Sequence, residues 1–312
     1  MVYRKLINSI YSLFVNIIPF ITLGFFLGKR EPKLSEFIAK PLIRYGIPLS
    51  VMGLLLKEGI DIDLIKSAIF AFFIIGFLLF FINLIPILKS KLPNYTLQLA
   101  GLIGNTSFLG IPIAIALLSS KTINLTIGFD LGTTLFAWIF GPFFLKKSPT
   151  YKNIPNIKIL LNALINSPAS RGIIGVFIAY LLKVQVILGN YLWIPARIVI
   201  AIAIIIVGAR LGIITNQKGN FFDLNEEIKY SIFLKVFIFP LIIFLICKFL
   251  NFDIFQTSAL VLQAGTPTAI SQILMAEAYK VNQMIASKIV FTTTLFSLIT
   301  IPILTFFLIA SN

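Results

Sequence analysis

The chain has 312 residues, of which 58% are hydrophobic and 12% charged, with a mean hydropathy of +1.00. Soluble proteins carry about a quarter charged residues, so lipid is the expected solvent. A net charge of +15 would suggest nucleic acid for a soluble chain, but here the basic residues fall between apolar runs and are read as loop charge facing anionic lipid, with no nucleic acid partner.

Ten apolar runs are long enough to cross a bilayer as helices, at roughly 20 residues each. They cover 7–28, 36–56, 64–87, 97–118, 123–145, 162–182, 190–212, 229–249, 256–277 and 285–309. Arg4 and Lys5 precede the first, which is longer than a signal-peptide core and lacks a small-residue cleavage site, so it reads as a retained helix. Polar punctuation separates the runs, for example Lys29 to Lys33, Lys57 to Asp63, Lys89 to Asn94 and Asn216 to Glu227. The most polar connection, from Lys146 to Lys158, divides the chain near its midpoint. The expected organisation is therefore a first unit of five helices (1–145), a linker (146–157) and a second unit of five (158–312).

Lysines and arginines number about thirteen in the loops of one side, Arg210 counted among them, and about seven on the other, which makes the richer side, with the 146–157 loop, cytoplasmic. Both termini are then extracytoplasmic in a multi-pass protein of the plasma or inner membrane, although Arg4 and Lys5 pull the other way.

The halves resemble each other. Gly132 to Phe136 with Pro142 in the fifth segment matches Thr292 to Phe296 with Pro302 in the tenth at a constant offset (293 − 133 = 302 − 142 = 160). Gly110-Ile111-Pro112 in the fourth answers Gly265-Thr266-Pro267 in the ninth, and Asn16 with Pro19 answers Asn166 with Pro168. Because five helices is an odd number, such a repeat is inverted. Internal prolines remove a backbone donor, which in lipid leaves polar groups needing another partner. One such proline reads better as an ordinary kink, whereas two at equivalent places point to a binding site.

The run Gly104 to Pro112 resembles the fourth-helix motif of auxin efflux carriers and their bacterial malate and malonate permease relatives. The likeness continues through Asn166-Ser167-Pro168, Val207 to Gly212, Thr266 to Ala269 with Ala278-Tyr279, and Thr292 to Leu298 with Pro302, nearly the whole chain. It implies an all-α integral membrane fold of ten transmembrane helices in two inverted five-helix repeats. The fold would be similar to that of bile-acid symporters and sodium/proton antiporters, with the fourth and ninth helices broken and crossing. Helices 1, 2, 6 and 7 would form a scaffold, and helices 3–5 and 8–10 a transport domain working by elevator-type alternating access. The implied function is carriage of small organic anions, either carboxylates or auxin-like acids, possible as a homodimer.

Broken helices expose N-termini whose free N–H groups and positive dipole ends attract a carboxylate without a fixed charge. Asn105 matches the family's polar position at the first break and offers an amide donor. Ser107, Pro112, Gly265, Thr266 and Pro267 stand at the two breaks, with Gln263 and Gln272 flanking the second. Each also has a structural reading, as glue between helices or a partner for freed carbonyls. Asp130 is the carboxylate deepest inside an apolar run, where a charge is costly, so it is the candidate for proton or ion coupling. Lys288 lies about 12 Å from it in depth, too far for a direct pair. Lys40, Arg44 and Lys235 read as side chains snorkelling to headgroups, while Arg171 and Arg197 are unranked guides for anions. A sodium-coupled symporter on the same fold is the alternative, weakened because only Asp130 and Glu277 supply nearby acids. An enzyme is disfavoured by the lack of histidine and of an acidic pair, and the single Cys247 excludes an internal disulfide. No cofactor or metal is expected.

Overall fold

The computed structural model describes residues 11, 15, 17–145, 168–216, 223–278 and 281–310. The expected linker at 146–157, the Asn16 and Asn166-Ser167 pairs and Tyr279 lie outside them, as do the side chains of Lys40, Pro142 and Glu277.

These residues are helical almost throughout, in the order α1 (Ile18–Arg30), α2 (Pro32–Glu58), α3 (Ile62–Leu84), α4 (Pro86–Lys91), α5 (Tyr95–Leu102), α6 (Thr106–Leu117) and α7 (Ile123–Leu145). After the linker come α8 (Pro168–Leu181), α9 (Gln185–Thr215), α10 (Glu226–Phe249), α11 (Ile254–Ala264), α12 (Ser271–Ala278) and α13 (Gln283–Ala310). Six of these regions are long and apolar enough to cross a membrane, namely α2, α3, α7, α9, α10 and α13; α6, α8 and α11 are shorter apolar helices. Leu181 and Phe249 are 81% and 84% exposed, which only lipid would tolerate on this scale alongside exposed Phe73, Phe80 and Tyr191.

The polar punctuation starts helices. Asp61 accepts from the backbone N–H groups of Asp63 and Leu64, Asn94 from Leu97 and Asn225 from Ile228. Asp253 and Gln256 form a reciprocal capping box on α11.

Prolines are absorbed in an unexpected way. Wide π-helical turns at Leu42–Gly46, Thr106–Gly110 and Leu234–Ile238 each end two residues before a proline, Pro48, Pro112 and Pro240. Proline cannot donate to the carbonyl one turn back, and a locally wider turn accommodates that loss without ending the helix. Pro112 therefore lies within α6, and the chain is interrupted earlier, at Ile103–Asn105. The second interruption, 265–270, does contain Pro267. The two prolines expected at equivalent breaks thus sit differently.

Small residues set the closest approaches. An added Cβ on Gly24 or Gly28 of α1 would strike the backbone of Ile205 or Ala209 on α9, and one on Gly208 or Gly212 of α9 the backbone of Ile21 or Phe25. This is small-xxx-small packing on both helices of one of the most extensive helix pairs among the described residues. Gly128 and Gly132 of α7 lie in the same way on Leu64 and Ala68 of α3.

Candidate functional site

The two interruptions meet. Gly104 forms an isolated antiparallel bridge with Thr268; the Asn105 N–H donates to the Pro267 carbonyl at 2.7 Å and the Ala269 N–H to the Ile103 carbonyl at 3.0 Å. Each break thereby satisfies backbone groups of the other, which lipid cannot do. A Cβ at 104 would collide with Thr266 Oγ1 and come within 3.0 Å of Lys235 Nζ, so a larger residue there would have to displace both side chains.

The helix ends that face the breaks are also matched. Thr268 Oγ1 donates to the Ala100 carbonyl at 2.6 Å, and its N–H donates to Thr293 Oγ1 at 3.1 Å. Thr266 Oγ1 donates to the Gln263 carbonyl at 2.7 Å. Lys235, fully buried, donates from Nζ to the Ala264 carbonyl at 2.9 Å, at the negative end of α11, with Nζ 4.8 Å from the centre of the Phe239 ring. This corrects the snorkelling reading of Lys235: the wide turn Leu234–Ile238 points it inward.

A cavity of about 140 Å³ opens where the breaks meet. Its walls include Asn105, Thr106, Ser107 and Phe108 at the start of α6, and Ala269, Ile270 and Ser271 at the start of α12. Two helix N-termini thus border one space, where free N–H groups favour an anion. Arg210 of α9 closes the polar side, and Trp138, Ala137 and Ile206 the apolar side. The Asn105 amide nitrogen is buried with no hydrogen-bond partner among the described residues, a donor left for a ligand.

Asp130 stands immediately behind this wall. It is fully buried on α7 and accepts at Oδ1 from Thr106 Oγ1 at 2.5 Å and Ser107 Oγ at 2.6 Å, so it anchors the first turn of α6. Its Oδ2 is buried without a partner among the described residues, as are Thr126 Oγ1, Thr133 Oγ1 and Gln263 Oε1.

Of the residues expected at the site, Asn105 and Ser107 line the cavity, while Thr266 and Pro267 touch the opposite strand of the bridge. Gly265 caps α11. Gln263 donates to the Thr126 carbonyl at 3.3 Å and packs on Gly110, away from the cavity. Gln272 is buried and does not line it. Pro112 borders a different cavity, with Arg197. Lys288 donates to the Asp223 carbonyl, apart from Asp130, and Arg171 to the Arg44 carbonyl at 3.2 Å. Arg210, counted in the sequence as loop charge, is the residue that was missed; its place inside the motif Val207 to Gly212 was the available signal. A larger groove of about 390 Å³ between α10, α11 and α13 is walled by Phe237, Leu241, Ile303 and other apolar side chains, and holds no charged or amide group to orient an ion.

No match emerges among curated proteins. The profile of the family described as membrane transport protein matches residues 51–305, most of the chain, including both breaks and the cavity between them, and it supports the kinship to auxin efflux carriers drawn from the motifs. With its many apolar helices, this multi-pass, all-α chain belongs to the membrane transport protein family.

Proposed function

We propose that the protein is a secondary transporter of small organic anions, carboxylates or auxin-like acids, working by elevator-type alternating access at a cell membrane. The observation that carries this reading is the convergence of two helix N-termini, the unpartnered Asn105 amide and Arg210 on one cavity. A carboxylate there would meet N–H donors and a guanidinium without any metal.

In this reading α5–α6 and α11–α12 are the crossing pairs of a ten-helix inverted repeat. The moving body comprises α3–α7 and α10–α13, and α1, α2, α8 and α9 are the scaffold. The glycine contacts support the division. Gly24, Gly28, Gly53, Gly172, Gly189, Gly208 and Gly212 meet neighbours within the scaffold set, and Gly104, Gly110, Gly128, Gly132 and Gly141 within the other. Contacts at backbone level, at Gly24, Gly28, Gly208 and Gly212 in the first set and at Gly128 and Gly132 in the second, hold helices together within each set, and a seam without them can slide.

Asp130 is the coupling residue on this reading, by proton. Sodium coupling is the second reading, favoured by the buried oxygens of Asp130, Thr126, Thr133 and Gln263 that lack donors. Against it, the Lys235 ammonium already occupies the Ala264 carbonyl.

The test is counterflow in proteoliposomes, with labelled malate against a panel of monocarboxylates, dicarboxylates and indole acids. Accumulation by some acids, lost in Asn105→Ala and Arg210→Gln variants that remain folded, is the expected result. No accumulation with any acid would overturn the anion assignment, and stimulation by a sodium gradient alone would select the second reading.

A further inference from the structure

The helix α9 carries a second arginine that the cavity at the breaks does not use. Arg197 lies 13 residues before Arg210, about 20 Å along the axis. It is exposed, several turns inside an apolar helix, with its guanidinium 5.7 Å from the centre of the Trp193 ring. A charge at such a position is tolerated where it faces water rather than lipid. Arg197 borders a cavity of about 330 Å³ with Phe20 of α1, Pro112, Ile115 and Ala116 of α6, and Ile200, a space with room for such water.

Both cavities share α6. Its first turn, Thr106 to Phe108, borders the space that Arg210 closes, and its later turns, Pro112 to Ala116, border the space that holds Arg197. One helix of the proposed moving body therefore lies between two arginines of one scaffold helix.

Resting on the carrier reading, we propose that Arg197 forms a second anion site on the far side of the interrupted helices, where the carboxylate of the transported acid lands before release. The guanidinium fork suits a carboxylate in two-point contact, and Trp193 packs beside it on the same helix. The same chemistry would also take a lipid phosphate, which the test separates.

The experiment uses proteoliposomes sorted for one orientation, with half-saturation for the best panel acid measured from each side for wild type, Arg197→Gln and Arg197→Lys. Arg197→Gln is expected to raise half-saturation about tenfold or more from the Arg197 side only, as loss of a charge-assisted bond predicts, with partial recovery in Arg197→Lys. An equal change from both sides, or none, with wild-type transport intact, overturns the second site alone. Absence of wild-type transport overturns the carrier reading and this one with it. In vesicles of purely zwitterionic lipid the asymmetry should persist; an asymmetry confined to anionic lipid would assign Arg197 to headgroups and overturn the proposal.

Discussion

Replacing Gly208 with alanine adds one methyl group to the contact between α1 and α9. The new Cβ would lie 2.8 Å from the carbonyl carbon of Ile21 and 3.0 Å from its Cα, with the carbonyl oxygen nearer still. Carbon atoms pack at about 3.5–4.0 Å, so the helices must part by about 1 Å, which forfeits on the order of half of the dispersion energy along the seam. Overpacking of this kind costs about 1–3 kcal/mol. Gly46→Ala is the control, because its Cβ would meet only side-chain ends, Leu42 Cδ1 at 3.0 Å and Val199 Cγ1 at 3.2 Å, which can rotate away. The gain in helix propensity, about 1 kcal/mol, is common to both substitutions and cancels. The two variants should therefore differ by about 1–3 kcal/mol when unfolded in mixed micelles of rising dodecyl sulfate content, followed by the fluorescence of Trp138 and Trp193. Equal stability within about 0.5 kcal/mol would refute backbone-level packing at this seam.

Arg210→Gln should impair counterflow more than Asn105→Ala, because a guanidinium contributes a full charge and a two-point contact to a carboxylate where an amide contributes one uncharged donor; the reverse order would displace Arg210 from the site. Asp130→Asn keeps an acceptor for Thr106 and Ser107, so counterflow, which needs no coupling ion, should survive while gradient-driven accumulation disappears. Intact accumulation in that variant would reduce Asp130 to an anchor. Lys235→Met leaves the Ala264 carbonyl unmet and should cost about 1–3 kcal/mol in the same micelle titration, with no loss at all refuting a net contribution from the buried ammonium.

Six of the ten apolar runs correspond to helices long and apolar enough to cross a membrane, because lipid forces backbone bonds to stay within each helix, whereas 97–118 and 256–277 are each divided into two shorter helices. Residues 123–145 were expected as one helix and form α7 with those bounds. The position of the first interruption was not legible. Pro112 was the visible signal, but a wide turn absorbs it, and Ile103–Asn105 breaks instead where Gly104 allows the opposite strand to approach. That approach depends on Thr268, far away in sequence, so nothing local announces it. Asn105 and Ser107 were legible because polar groups inside an apolar run stand out. Lys235 and Arg210 stood out equally, but hydropathy records depth and not the direction a side chain faces, so one was assigned to headgroups and the other to a loop.

The bridge between Gly104 and Thr268 also bears on how the chain is made. Residues 103 and 269 are 166 positions apart (269 − 103 = 166), so the first interruption enters the bilayer with the Ile103 carbonyl and the Asn105 N–H lacking the partners they later acquire. Loop closure over that span must precede the reward, which makes this junction a late step of assembly. A chain halted after α7 would leave a half-protein whose Ile103 carbonyl and Asn105 N–H have no partner from the second half, so the first unit alone carries a polar defect in lipid that only the second can close.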